Sequence, residues 1–230
     1  VEEIIAIAHQ KGAKVLIDAC QSIAHVPIDV QKMDCDWLVA SGHKMCGPTG
    51  SGFLYGKLEL LRSMPPFLAG GKMNADVFKD HFTYKDVPKK FEAGTPAIAD
   101  AIALGAAVGY LTGLGMDKIY AEEAELAQYL FEQLQQIPAI RTYGPKPQEA
   151  RNGRVGIYIF TLGDVDPHDL CKMLDRSGVV LNSGFNATQI LHRYLGVQST
   201  ARVSLYFYNT RSEIDTLIAA LTEAVGKSQN

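Results

Sequence analysis

The chain has 230 residues, 47% of them hydrophobic, and a net charge of −3. That length can bury one or two cores; the near-neutral balance excludes the basic stripe a nucleic-acid binder needs, and no apolar run reaches the ~18 residues of a membrane span. The four cysteines, Cys20, Cys35, Cys46 and Cys171, show neither C-x-x-C pairing nor metal-ligand spacing with histidine, so free thiols in a reducing, cytoplasmic setting are expected. No secretory leader pattern opens the chain. It begins "VEEIIAIAHQKG", without Met and inside an amphipathic pattern, which predicts further sequence upstream.

Ile4, Ile5, Ile7 and Ala8 share one face of a helix over residues 1–10 that Gly12 ends. "AKVLIDA" is too short for a helix and rich in Val and Ile, which predicts a buried strand. "DCDWLVASG" predicts a second strand ending at Ser41, and "GSGFLYG" a third between glycines. "KLELLRSM" reads as a helix stopped by "PPFLAGG", and residues 70–96, without a clear period, as one long functional loop. "AIADAIALGAAVGYLTGLG" reads as a buried helix of small apolar residues. "MDKIYAEEAELAQYLFEQLQQI" is a long amphipathic helix with Ile119, Leu126, Leu130 and Leu134 on its apolar face.

"IRTYG" and "RVGIYIFTL" then read as strands, "DPHDLCKMLDRSG" as a helix, "VVLNSG" as a strand and "TQILHRYLG" as a short helix. "ARVSLYFYN" is a last strand, and "TRSEIDTLIAALTEAVG" a closing helix capped by Asn209 or Thr210, with Glu213 in its first turn. This alternation predicts an α/β architecture. A layered sheet domain is expected over residues 1–113 and a smaller α/β domain over 114–230.

Asp18 ends one predicted strand, and Lys44 lies 26 residues on, just past the next. Ligands of open α/β sheets gather at the carboxyl ends of strands, so a carboxylate and an amine there can face one ligand. Asp18 taken alone reads as a helix cap or an ion-pair partner rather than as a ligand-binding acid. Together with Lys44 it fits pyridoxal phosphate, which needs a lysine for its Schiff base and an acid that keeps its ring nitrogen protonated. Ser41 and His43 flank Lys44 and offer phosphate donors, and Gln21 can reach the ring hydroxyl.

The stretch "VLIDACQSIAHVPIDVQKMDCDWLVASGHKMCGPTGSGFLYGK" resembles the cofactor-binding half of class V aminotransferase-type enzymes. Within them it most resembles Suf-type cysteine desulfurases and selenocysteine lyases. The likeness continues in order through "FEAGTP", "YGP" and "ARVSLYFYNTRSEID". It implies a fold-type I pyridoxal-phosphate transferase, with residues 1–113 the C-terminal part of the large domain and 114–230 the small domain. It implies that Lys44 carries the cofactor, Asp18 pairs with the ring nitrogen, Gln21 contacts the ring oxygen, and Ser41 and His43 bind the phosphate. Thr95 would reach the phosphate of a neighbouring subunit in a homodimer. Arg202 would hold the substrate carboxylate, with Asn182 also at the substrate; a guanidinium grips carboxylates bidentately. Iron–sulfur cluster assembly and a sulfur-acceptor protein are the implied setting.

The resemblance breaks at one loop. Suf-type desulfurases carry an "RTGHHCA"-like segment whose cysteine takes sulfur from the substrate, and this chain reads "NSGFNAT", Asn182 to Thr188. Ala187 holds the cysteine position, Asn182 the arginine position, and Phe185 and Asn186 the two histidine positions. Alanine cannot form a persulfide, because the nucleophile in that chemistry is a thiolate. The family's upstream histidine that stacks on the cofactor ring is not within these 230 residues. Three readings follow: a desulfurase-like enzyme acting on cysteine or selenocysteine with altered sulfur chemistry; a pyridoxal-phosphate lyase or aminotransferase of the same fold, with Lys44 as proton shuttle; or an inactive fragment that only dimerises or binds partners.

Overall fold

The computed structural model describes residues 1–147 and 155–228; Arg154, first residue of the predicted strand "RVGIYIFTL", lies outside the described residues. The chain divides into two compact units, Val1–Met116 and Asp117–Asn230.

In the first unit, α1 (Glu2–Gln10) stops where Gly12 adopts φ +72°, a left-handed conformation open to glycine without steric cost. Strand β1 (Leu16–Asp18) runs parallel to β2 (Trp37–Ser41), and β2 runs antiparallel to β3 (Gly52–Gly56), in the order β1-β2-β3. A 3₁₀ turn (Ser22–Ala24) and a short helix α2 (Val30–Met33) connect β1 to β2. Asp29 caps α2 by accepting from the N–H groups of Gln31 and Lys32, both at 3.0 Å. Ile5, Ala19, Cys35, Leu38 and Ala40 form the core of this unit.

Three expectations for this unit are corrected. Strand β1 is not buried on both faces: Leu16 is 54% exposed, while Ile17 packs on the core. Among the described residues it pairs with β2 alone. The stretch 70–96 is not one loop. After α3 (Leu58–Ser63) it folds into a hairpin, β4 (Asn74–Val77) with β5 (Phe82–Tyr84), and a 3₁₀ turn at Lys89–Phe91. Its strands are short and exposed on both faces, so no alternation of polarity marks them. Helix α4 (Ile98–Leu114) is not buried: Ala107 and Leu111 are, but Ile102 is 69% exposed. Apolar all round, its sequence does not say which face packs.

One charged group ties α1 to the sheet. Asp36, fully buried just before β2, accepts from the Val15 N–H at 2.8 Å and bonds His9 Nε2 at 2.9 Å, with Lys14 Nζ at 3.3 Å and Lys57 Nζ at 3.6 Å. Burial alone would raise its carboxyl; the hydrogen bonds from Val15, His9 and Lys14 outweigh it and bring it down to about 2 from the ordinary 3.8. A carboxyl lowered on folding stabilises the native state above its unfolded value and loses that contribution as pH falls through its folded one. About 2 kcal/mol present above pH 5 should therefore be lost as pH falls through 4 toward 2. Urea unfolding of Asp36→Asn against the parent at pH 6 and at pH 2.5 measures it; an equal gap at both pH values contradicts it.

In the second unit, α5 (Met116–Leu134) leads to β6 (Ile140–Tyr143) and β7 (Ile157–Leu162). Then come α6 (Pro167–Asp175), β8 (Asn182–Gly184), α7 (Gln189–Leu195), β9 (Thr200–Ser204) and α8 (Arg211–Ser228). The sheet is antiparallel throughout, in the order β6-β7-β9-β8. Strand β9 ends at Ser204, short of the predicted "YFYN". Tyr158, Phe160 and Leu162 of β7 and Ala201 and Val203 of β9 bury one sheet face. Leu126, Leu130 and Leu134 of α5, with Leu170, Leu174, Ile214, Leu217 and Leu221 of α6 and α8, fill the same core. The Tyr158 hydroxyl donates to the Ala127 carbonyl at 2.9 Å, pinning β7 to α5. Thr210 and Glu213 close the start of α8 reciprocally: Thr210 N–H donates to Glu213 Oε2 at 2.8 Å and Glu213 N–H to Thr210 Oγ1 at 3.3 Å.

Candidate active site

Strands β1 and β2 are parallel, so their carboxyl ends reach one edge of the sheet, with Asp18 opposite Val39. The ladder runs one step further through Ala19 N–H to Val39 O at 2.9 Å. That register sets Cys20 beside Ser41, Sγ to Oγ 3.2 Å. Asp18 does not end a buried strand as expected; it is exposed, and its carboxylate is satisfied locally. The Cys20 thiol and the Cys20 N–H, the latter at 2.9 Å, hold its carboxyl below the ordinary value, and the Lys44 charge adds to them.

Lys44 rides on a 3₁₀ turn, Gly42–Met45, that follows β2 directly. Gly42 N–H donates to Ser51 O at 2.8 Å, Gly47 N–H to Gly42 O at 3.0 Å and Ser51 Oγ to Pro48 O at 2.9 Å, closing the Gly-Pro-Thr-Gly turn back onto β3. This loop is packed too closely for side chains: a Cβ at Gly42 would collide with Ser51 Oγ, and one at Gly47 would lie 2.8 Å from Gly42 O. At Gly52, which pairs with Ser41, a Cβ would lie 2.6 Å from Ala40 O. Gly52→Ala should therefore push β3 off β2 and cost about 1–3 kcal/mol, read as a lowered thermal midpoint; an unchanged midpoint would show that the loop yields freely.

The Lys44 side chain is half-buried, and its amine makes no hydrogen bond among the described residues. The exposed His43 and Gln21 side chains make none either; Gln21 stands at the mouth of the first 3₁₀ turn. So the structure brings Asp18, Cys20 and Ser41 into one bonded group, sets Lys44 within electrostatic reach of Asp18, and leaves His43 and Gln21 open to a ligand. Thr95 is exposed between Gly94 (φ +81°) and α4, and no hydrogen bond joins it to Ser41, His43 or Lys44.

In the second unit Arg202 lies between buried Ala201 and Val203, so strand alternation turns it away from the helices. It stands opposite Asn182 in the β8–β9 ladder. Both line a cavity of about 680 Å³ along the outer edge of β8, with His168, Lys172 and Ser183. Arg202 Nε is buried without a partner. An orphaned guanidinium nitrogen is costly unless something accepts from it, and a carboxylate is the natural acceptor.

The loop after β8 has a built geometry. Asn186 (φ +47°) and Ala187 (φ +61°) are both left-handed, and Thr188 N–H donates to Phe185 O at 2.8 Å, the φ signature of a type I′ turn. His192, buried on α7, holds it: Nδ1 lies 3.0 Å from Thr188 O, Nε2 lies 3.1 Å from Thr200 Oγ1, and Phe185 meets the ring edge-on at 6.0 Å. Sequence reasoning missed both His192 and Cys20; a lone His in a short apolar helix was the only signal for the first.

An α/β unit with a lysine and an aspartate at neighbouring strand ends, and a second α/β unit whose arginine has a buried nitrogen with no partner among the described residues, have the makings of a fold-type I transferase. The chain belongs to the class-V aminotransferase family, whose model matches residues 1–217. The chain is similar to a "Probable cysteine desulfurase" of Synechocystis sp., 56% identical over 224 residues, covering 97% of this chain and 53% of that relative. Among solved structures it is similar to the cysteine desulfurase CsdA of Escherichia coli (TM-score 0.90, 36% identity, 98% of this chain and 55% of that one). It is also similar to the apo cysteine desulfurase of Thermococcus onnurineus NA1 (TM-score 0.93, 33% identity, 99% and 56%). The chain thus spans about half the length of the relatives it matches.

Proposed function

We propose that this chain is the lysine-bearing part of a pyridoxal-phosphate enzyme of the cysteine desulfurase type, acting on cysteine or selenocysteine. The observation that carries it is the unpartnered Lys44 amine beside the Asp18 carboxylate, both at strand ends. The donor set fits that cofactor. Lys44 would hold it, Asp18 would face its ring nitrogen, Gln21 its ring oxygen, and Ser41 and His43 its phosphate. When bound, the cofactor supplies an electron sink for bonds at the substrate's α-carbon. Lys44 would move the α-proton, and Asp18, whose carboxyl Cys20 holds below its ordinary value, would keep the ring nitrogen protonated. Arg202, with Asn182 opposite, orients the substrate carboxylate, and the reading includes a cytoplasmic homodimer in which Thr95 serves the neighbouring site.

Ala187 favours a second reading. With no thiol at that position, release of the sulfur or selenium substituent without a protein persulfide, or transamination, fits better than sulfur transfer to an acceptor protein. Incubation with cysteine and with selenocysteine tests this. Alanine plus sulfide or selenide supports desulfurase-type chemistry, and pyruvate plus ammonia supports simple elimination. Absence of every product, with no covalent Lys44 adduct after borohydride reduction, overturns both. Arg202→Ala should raise KM at least about tenfold, the worth of one charged hydrogen bond, while the bound-cofactor absorbance stays unchanged; an unaltered KM contradicts its carboxylate role.

A further inference from the structure

Among the described residues, Cys20 is the one that touches both ends of the group at the strand termini. Its N–H donates to Asp18 Oδ1 at 2.9 Å and its sulfur lies 3.2 Å from Ser41 Oγ, and Cys20 holds the Asp18 carboxyl below its ordinary value. The parallel register of β1 and β2 enforces this. Asp18 and Val39 are partners, so the residues two further on, Cys20 and Ser41, meet just past the end of the ladder. No residue of another type makes the same set of bonds. Alanine keeps only the N–H, whereas serine keeps a side-chain donor and an acceptor on a shorter arm.

We propose that Cys20 is a positioning residue for the cofactor: it fixes the Asp18 carboxylate and the Ser41 hydroxyl in one orientation before any ligand arrives. This rests on the reading of the site given above. With the Cys20 N–H on Oδ1, one oxygen of the Asp18 carboxylate is committed to Cys20. The thiol has one proton. The sulfur and the Ser41 hydroxyl share one hydrogen bond, which parks the hydroxyl within the group. Ser41 would hold the phosphate with the hydroxyl that Cys20 keeps in place. The acid that would face the ring and the hydroxyl that would face the phosphate are thereby joined through one residue. Lys44 is the charged group that also acts on Asp18.

The test compares the parent with Cys20→Ala and Cys20→Ser. The first measurement is the Asp18 carboxyl titration by ¹³C NMR on cofactor-free protein. The second is the dissociation constant of pyridoxal phosphate, with borohydride trapping on Lys44 as the control. Cys20→Ala should move the Asp18 midpoint upward, because a donor to the ionised form is lost, and weaken cofactor binding about 3- to 10-fold, as expected for one hydrogen bond. Cys20→Ser should restore both toward the parent. Unchanged values in Cys20→Ala, or equal losses in Cys20→Ala and Cys20→Ser, overturn the proposal. Failure of the parent to give a Lys44 adduct overturns the cofactor reading instead, and the NMR titration still decides whether Cys20 governs Asp18.

Discussion

Lys44→Ala should abolish the bound-cofactor absorbance and lower turnover by at least about 10²–10⁴-fold, the range lost with a positioned acid–base group alone; loss of the covalent attachment adds to it. The fold should survive, because Lys44 is half-buried and its amine makes no hydrogen bond among the described residues. The turn that carries it is closed by Gly42, Gly47 and Ser51 backbone bonds that do not involve the side chain. An unchanged thermal midpoint with a colourless protein is thus the expected pair of results. Retained absorbance and turnover would place the attachment elsewhere and remove the basis of the functional reading.

The second large effect is a gain. Ala187→Cys should produce a protein persulfide where the parent forms none: cysteine plus the introduced thiol gives alanine plus the persulfide, with no change in proton count and no outside oxidant. Alanine and cysteine carry the same left-handed penalty, about 1–2 kcal/mol, and Ala187 is exposed, so the substitution meets no packing barrier. Mass spectrometry after incubation with cysteine should show a 1:1 persulfide at that position in Ala187→Cys and none in the parent. An unmodified introduced thiol, in a protein that still binds cofactor on Lys44, would mean that Phe185 and Asn186 close the route to the sulfur.

Much of the fold was legible because it obeys a period. The helix carrying Ile119, Leu126, Leu130 and Leu134 repeats its apolar residues each turn, and all four are buried as that spacing predicts. Helix α4 carries no such asymmetry, so its exposure was invisible, and the strands of the β4–β5 hairpin are too short and too exposed to alternate. At the site, residue types pointed to Asp18 and Lys44, since an acid and an amine at neighbouring strand ends narrow the chemistry sharply. Cys20 was illegible because its part depends on the register of two strands, which one-dimensional spacing does not state. The turn at Asn186 and Ala187 was hidden for a different reason: such turns favour glycine at the second left-handed position, and alanine stands there.

That turn is held from outside, by His192 and the Phe185–Thr188 backbone bond, and by nothing attached to the Cβ of residue 187. The loop is in effect a socket whose shape does not depend on its occupant. The side chain at this spot can therefore change while the loop that presents it keeps its shape.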